Sequence, residues 1–206
     1  MTMAFWTGEA PLILASTSRA RRDLLAGAGV QADAIPSGVD ERAIEEAAAV
    51  GRLSPADLAL RLAAEKALAV SRHHPERWVV GADQVLDLDG EVLHKPADRA
   101  QAARHLKRLA GRSHVLRSAV GLARDGILDD SFVESAVLTM RKLSGEAIER
   151  YLDAVGEVAL QGAGAYQVEA LGIHLMERIE GDHATILGLP LIPLLSALRK
   201  RDCLAF

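Results

Sequence analysis

The rhythm of apolar and polar residues changes several times along the chain, and each change marks an element. Leu12–Ala15 is a short, wholly apolar run that ends in Ser16-Thr17-Ser18, after which Arg19–Ala28 takes on helical spacing. That reads as a buried strand, a polar turn and a helix start. Ala43–Ala49 predicts a short helix. Ser54-Pro55 supplies an N-cap and a proline at the first helical position for a helix to about His73. Trp78–Ala82 predicts a strand ending at Asp83, and Val85–Leu93 a hairpin around the turn signal Asp89-Gly90. Ala97–Leu109 is helical up to Gly111, and two long β-type stretches follow, His114–Arg124 and Ile127–Met140, joined at Asp125-Gly126. Ser144 caps a helix to about Val155, with Ala147 where a full capping box has an acid or amide. Gly162–Gly172 is glycine-rich, Ile173–Ile179 alternates like a strand, and Leu187–Lys200 reads as a closing helix. Helices interleaved with strands and a long hairpin give an α/β fold class. The strand order does not follow from the pattern.

Composition narrows the setting. A chain of 206 residues that is half hydrophobic can bury a core without a disulfide or metal staple. One cysteine, Cys203, excludes a disulfide framework and a Cys-based zinc site, and fits a reducing compartment. The uncharged run His183–Leu198 is too short for a membrane helix and is broken by Pro190 and Pro193. Met1–Pro11 lacks a basic region ahead of an apolar core, so no secretory signal is expected there. A net charge of −4 argues against general binding to nucleic acid or anionic membrane. The expectation is a cytoplasmic globular protein, one large domain or two small lobes over residues 1–206, with no nucleic acid or membrane partner.

The candidate chemistry starts at Ser16-Thr17-Ser18-Arg19-Ala20-Arg21-Arg22, between a strand and a helix. Hydroxyls, arginines and the free N–H groups of a helix start are what a phosphate needs, although for the segment alone a capped surface helix with solvated arginines is the simpler reading. No Walker loop occurs. Lys66 lies on an apolar helical row with Ala59, Ala63 and Val70, where it either snorkels or points into a polar cleft. Taken alone, snorkelling is the simpler reading. Asp83 ends its predicted strand, where α/β proteins place carboxylates toward a ligand crevice. Lys95, past the hairpin, could return toward it, and Glu41 adds a carboxylate in a turn or at a helix start. The seven histidines show no metal spacing, and there is no Gly-x-Ser-x-Gly.

The order of these blocks is more specific than any one of them. Leu-Ile-Leu-Ala-Ser-Thr-Ser with Arg21-Arg22, Val39-Asp40-Glu41, Ala64-Glu65-Lys66-Ala67, Gly81-Ala82-Asp83-Gln84-Val85 and His94-Lys95-Pro96 resembles the Maf family of nucleoside triphosphate pyrophosphatases. Gly164-Ala165-Tyr166, Glu177–Asp182 and Gly188-Leu189-Pro190-Leu191 continue the match over about residues 12–198. The resemblance implies a two-lobed α/β fold, related to that of inosine triphosphatase, with a central mixed sheet flanked by helices and a nucleotide cleft. It implies hydrolysis of a triphosphate between its α and β phosphorus, with a divalent cation, Mg²⁺ or Mn²⁺. Ser16, Ser18 and Arg21 match the phosphate-binding start, Glu41 the acidic turn, Lys66 and Lys95 the two lysines, and Asp83 the catalytic aspartate. Asp83 would orient or deprotonate water, or hold the metal together with Glu41.

Three positions bear on the base. Gln84 stands where pyrimidine-preferring members have threonine, and Glu169 where they have glutamine; both resemble the subgroup acting on 7-methyl-GTP. A carboxylate can accept from guanine N1–H and N2–H together. Arg19 replaces a family proline, and Ala20 stands where relatives carry an arginine or a bulky aromatic. The alternatives are a dTTP/UTP pyrophosphatase of the same family and a non-catalytic, nucleotide-binding regulator of septum formation. A homodimer is compatible with the sequence.

Overall fold

The computed structural model describes residues 5–206, so the first four residues of the Met1–Pro11 segment lie outside the described residues. Strands β1 (Leu12–Leu14), β2 (Ala32–Ala34), β3 (Val79–Leu88), β4 (Glu91–Leu93), β5 (Ser113–Arg124), β6 (Ile127–Met140) and β7 (Met176–Glu180) form one sheet in the order β2-β1-β3-β5-β6-β7, with β4 beside β3. β1 runs parallel to β2 and β3, whereas β4 on β3 and β7 on β6 are antiparallel. The sheet is therefore mixed, in an α/β fold with helices α1 (Arg19–Gly27), α2 (Glu41–Val50), α3 (Pro55–Ser71), α4 (Arg99–Leu109), α5 (Gly145–Val155), α6 (His183–Ile186) and α7 (Leu191–Arg199). Among the described residues no helix is long and apolar enough to cross a membrane.

The chain divides into two compact units, and the division falls inside β3, β5 and β6. The first comprises the residues up to Gln84, Ser118–Glu134 and His183–Phe206. Here the pleat of β1 and β3 sorts side chains by parity. Leu12, Leu14, Val80 and Ala82 enter a core with Leu25 of α1 and Leu194 and Leu198 of α7. Ile13, Ala15 and Val79 take the other face with Val70 of α3. α3 lies directly on that face because β3 and β5 carry glycines beneath it. A Cβ on Gly81 would overlap the Ala63 carbonyl oxygen and sit 2.5 Å from the Ala67 nitrogen, and one on Gly121 would sit 2.8 Å from the Ala64 Cα.

The second unit comprises Val85–Arg117 and Ser135–Asp182. Leu106 and Leu109 of α4 and Ile148 and Leu152 of α5 are fully buried there. The glycine-rich segment is tied down by side chains from outside it. His105 Nδ1 bonds the Ala163 carbonyl at 3.0 Å, and His114 Nε2 shares a 2.5 Å bond with the Tyr166 hydroxyl. Burial pushes His114 down to about 4, so it stands neutral at physiological pH.

Most predicted elements are present, including the Ser54 and Ser144 caps, whose hydroxyls accept from Asp57 N–H and Ala147 N–H. Four readings need correction. β3 does not end at Asp83 but runs on to Leu88, because Asp83 and Gln84 stay extended and only interrupt its apolar run. Residues 173–175 belong to a 3₁₀ turn, Leu171–Leu175, and the strand starts at Met176. The closing helix does not start at Leu187: Gly188, at φ +89°, and Pro190 hold it back to Leu191, and the short α6 lies ahead of the predicted range. β2, Ala-Asp-Ala, carries no apolar signal and was not anticipated.

Gly81→Ala tests the seating of α3. Because the colliding atoms are backbone, the helix itself must shift, and an overpacking cost of about 1–3 kcal/mol or more is expected. Chemical denaturation measures it; an unchanged midpoint and slope would show that α3 does not rest on Gly81.

Candidate active site

The seating of α3 determines what its one buried charge can reach. Gly81 and Asp83 share a face of β3, and Ala63 and Ala67, which touch Gly81, bracket Lys66 along α3. Lys66 Nζ thereby lies 2.6 Å from Asp83 Oδ1 and 2.7 Å from Glu41 Oε1. Its side chain is 8% exposed, so it does not snorkel, and the simpler reading of its apolar row is overturned. The apolar neighbours on that row are the backing of a charged pocket. Glu41 is the first residue of α2, behind the N-cap Asp40, whose carboxylate accepts from Ala43 N–H. It is both a helix-start acid and a half-exposed partner of Lys66.

Arg21 lies on the other side of Asp83 in the same unit. Its Nε donates to the Gly188 carbonyl at 2.8 Å, and its Nη1 donates to the Ala82 carbonyl at 2.8 Å and to Ser16 Oγ at 3.3 Å. Ser18 Oγ accepts from Arg21 N–H and caps α1, while Ser16 Oγ accepts from Ser18 N–H. Ser16, Ser18 and Arg21 thus come together, with the first turn of α1 presenting N–H groups that lack intrahelical acceptors. Much of the Arg21 guanidinium is spent on backbone carbonyls, so its position is set before any ligand arrives.

Burial raises the Asp83 pKa above the ordinary carboxylate value, and Glu41 adds to the rise; Lys66 first, then Arg21, oppose it. Burial likewise lowers Arg21, against the support of Asp83 and Glu41. Two carboxylates around one ammonium do not make a protein-only metal cage, and among the described residues no group of three or more His, Cys, Asp or Glu does. The donor set does fit a hard divalent ion held by one or two carboxylates and completed by substrate phosphates.

The remaining sequence candidates are placed separately. Gln84 belongs to the first unit, and its amide nitrogen bonds Ser118 Oγ and the carbonyls of Thr185 and Ile186 at 2.8, 3.1 and 3.0 Å. It cannot both donate and accept toward a ligand, since its hydrogens are already used. Lys95 and Glu169 belong to the second unit, and both are exposed. Sequence reasoning missed Gly81, Ser118 and Gly188. A glycine inside a strand run was a usable signal for close backbone approach at Gly81; nothing in the pattern marked Ser118.

A family model described as "Maf-like protein" matches residues 11–201. A protein of Nitrobacter winogradskyi named "Nucleoside triphosphate pyrophosphatase" is 53% identical over 199 residues, covering 97% of this chain and 98% of its own. One of the same name from Rhodopseudomonas palustris (strain CGA009) is 53% identical over 203 residues, covering 98% and 100%. A Rhizobium meliloti protein named "7-methyl-GTP pyrophosphatase" is 49% identical over 189 residues, covering 92% and 95%.

Lys66→Met tests the cluster. Removing one partner of a buried ion pair leaves the other uncompensated, and a loss of about 3 kcal/mol is expected, at the low end for such pairs because Glu41 is half exposed. Without Lys66 the Asp83 pKa rises further in the folded state. A raised carboxylate costs nothing below its unfolded pKa, costs progressively more as pH climbs from there toward the folded one, and costs its full amount above that. The stability gap to wild type should therefore widen from pH 4 to pH 8; a gap independent of pH would contradict the Lys66–Asp83 pairing.

Proposed function

The chain belongs to the Maf family of nucleoside triphosphate pyrophosphatases, and we propose that it performs this hydrolysis at the cluster of Asp83, Lys66 and Glu41. The observation that carries the assignment is the buried lysine bridging two carboxylates at 2.6 and 2.7 Å. A solely nucleotide-binding regulator has no need of a water-handling carboxylate in that position, which favours the enzyme.

A triphosphate brings about four negative charges, so the site must meet them with cations and N–H donors. Ser16, Ser18 and the start of α1 bind the phosphates, with Arg21 fixed alongside. Lys66 neutralises charge that builds on the phosphoryl oxygens, a task that the resemblance also assigns to Lys95. Asp83 orients the attacking water and takes its proton while the remaining hydroxyl joins phosphorus; the α–β anhydride bond breaks and pyrophosphate leaves. A divalent cation, Mg²⁺ or Mn²⁺, would be held by Asp83 and Glu41, and when bound it would supply charge neutralisation on the phosphates. The reducing cytoplasm suits this reaction and a buried free thiol at Cys203.

For the substrate, the reading is 7-methyl-GTP or another modified purine triphosphate. Glu169 supports it, since a carboxylate matches the paired donors of a guanine edge and is left unpaired by thymine or uracil. The Rhizobium meliloti relative supports it by its name. Base choice is assigned to Glu169 together with Gln84, whose amide hydrogens are committed but whose carbonyl oxygen can still accept from a base.

Asp83→Asn keeps the shape but removes the charge and proton acceptor. Turnover, measured as phosphate after coupling to inorganic pyrophosphatase, is expected to fall at least about a hundredfold with the fold intact. Normal turnover would make Asp83 structural. Activity should also vanish in excess chelator and return with Mg²⁺ or Mn²⁺, and full activity in chelator would remove the metal. Across a triphosphate panel, 7-methyl-GTP should exceed dTTP and UTP by about tenfold or more in kcat/KM, and Glu169→Gln should narrow that gap. Equal efficiency on dTTP and UTP would refute the substrate while leaving the hydrolysis in place.

A further inference from the structure

Four side chains buried in the second unit take no part in the hydrolysis: His105 on α4, His114 on β5, Tyr151 on α5 and Tyr166 in the glycine-rich segment. Their bonds converge on residues 163–167. His105 Nδ1 donates to the Ala163 carbonyl at 3.0 Å, since a carbonyl only accepts. His114 Nε2 and the Tyr166 hydroxyl share their 2.5 Å bond, and the Tyr151 hydroxyl accepts from the Gln167 N–H. Burial pushes Tyr151 up to about 12, raises Tyr166 further, and holds His114 down near 4, so all three stand neutral at physiological pH. They act as hydrogen-bonding groups. Stability does not account for them, because His114 Nδ1 is buried with no partner among the described residues, a cost that an apolar pair would avoid.

The backbone around Tyr166 is constrained as well. Ala165, fully buried, lies at φ +59°, a left-handed conformation that a non-glycine residue keeps only when its surroundings enforce it. The Tyr166 ring folds back over Gly164, where a Cβ would fall 2.2 Å from Tyr166 Cε1. Past Tyr166 the chain makes a tight turn, 167–170, with Ala170 N–H donating to the Gln167 carbonyl at 3.2 Å. Gly172 then returns against the foot of that turn, since a Cβ on it would stand 2.3 Å from the Gln167 carbonyl oxygen. Glu169 is the third residue of the turn and is exposed. Its place is set by Gln167, and the place of Gln167 by Tyr151 and by Tyr166 next to it.

We propose that Tyr166, locked by His114, and Tyr151 are positioning residues for base selection: they fix the foot of the 167–170 turn so that the Glu169 carboxylate is presented in one place to a purine edge. This rests on the reading of Glu169 as an acceptor for the base. A carboxylate on a clamped turn meets paired N–H donors without first having to be ordered, which is where preorganisation adds affinity.

The test is steady-state kinetics of Tyr166→Phe on 7-methyl-GTP, dTTP and UTP, beside its melting temperature. KM for 7-methyl-GTP should rise about fivefold or more with kcat kept within about twofold, because the lost contact lies on the base and away from the reacting phosphorus. kcat/KM on dTTP and UTP should stay within about twofold, so the purine-to-pyrimidine ratio falls about fivefold. In a Glu169→Gln background Tyr166→Phe should change that ratio less than about twofold, since both changes act through one carboxylate. Combining Tyr166→Phe with His114→Leu removes both polar partners and should restore the Tm while the ratio stays low. If Tyr166→Phe does not fold, that double variant and Tyr151→Phe are read by the same ratio and the same cycle. A lowered Tm with the ratio unchanged, an equal loss of kcat on all three triphosphates, or effects additive with Glu169→Gln would each overturn the proposal. If Glu169→Gln narrows the purine preference and Tyr166→Phe does not, only this inference fails. If Glu169→Gln leaves the preference unchanged, the reading of Glu169 fails and this inference with it.

Discussion

The contact on which the rest depends is backbone against backbone, where α3 rests on β3 at Gly81. A helix seated this closely has little freedom to slide or roll, because the Ala63 carbonyl and the Ala67 nitrogen already occupy the space of a Cβ. Lys66, between those two alanines, is carried to within 2.6 Å of Asp83, two residues along the same face of the strand. Small residues on the helix and glycine on the strand thus convert a packing distance into an ion-pair distance. The chemistry of the cluster follows from a steric constraint, and the hydrophobic row around Lys66 lowers the dielectric in which the pair operates.

Stability alone does not explain such a cluster. A buried ion pair recovers its desolvation cost only with good geometry and further hydrogen bonds, and apolar residues of similar volume often serve stability as well or better. Asp83 shows the cost, since its carboxyl is pushed toward protonation by burial despite two cations beside it. Arg21 is held in place by carbonyl oxygens of two separate segments and a serine hydroxyl. A polyanion entering this site would meet cations already oriented, which is where electrostatic stabilisation of phosphoryl transfer is most effective.

Much of this was legible in the sequence, and what was not has physical reasons. The caps at Ser54 and Ser144 and the turns at Asp89-Gly90 and Asp125-Gly126 act over a few residues, so local pattern finds them. Lys66 was ambiguous because an apolar row looks the same whether its lysine snorkels or is backed by a core; the answer lay in Gly81, on another element. Asp83 reads as a strand end in the sequence because a buried charge interrupts an apolar run as a turn does. The late start of the closing helix is hidden because Leu187–Lys200 is apolar enough to read as one helix, and the conformation at Gly188 together with Pro190 holds it back to Leu191. The pleat of β3 sends the Gln84 amide to the α6 turn, and the Gly188 carbonyl just past that turn holds Arg21; both contacts join residues more than a hundred positions apart, beyond any local pattern.

The cluster of Ser16, Arg21, Glu41, Lys66 and Asp83 is the proposed place of triphosphate cleavage. The most direct measurement is a crystal structure with a triphosphate whose α–β bridge is a non-hydrolysable methylene, grown with Mg²⁺. Phosphate oxygens are expected against Ser16, Ser18 and the first turn of α1, and the metal between phosphate and the carboxylates of Asp83 and Glu41. Phosphates bound elsewhere, with the Lys66–Asp83 pair closed and unvisited, would contradict it.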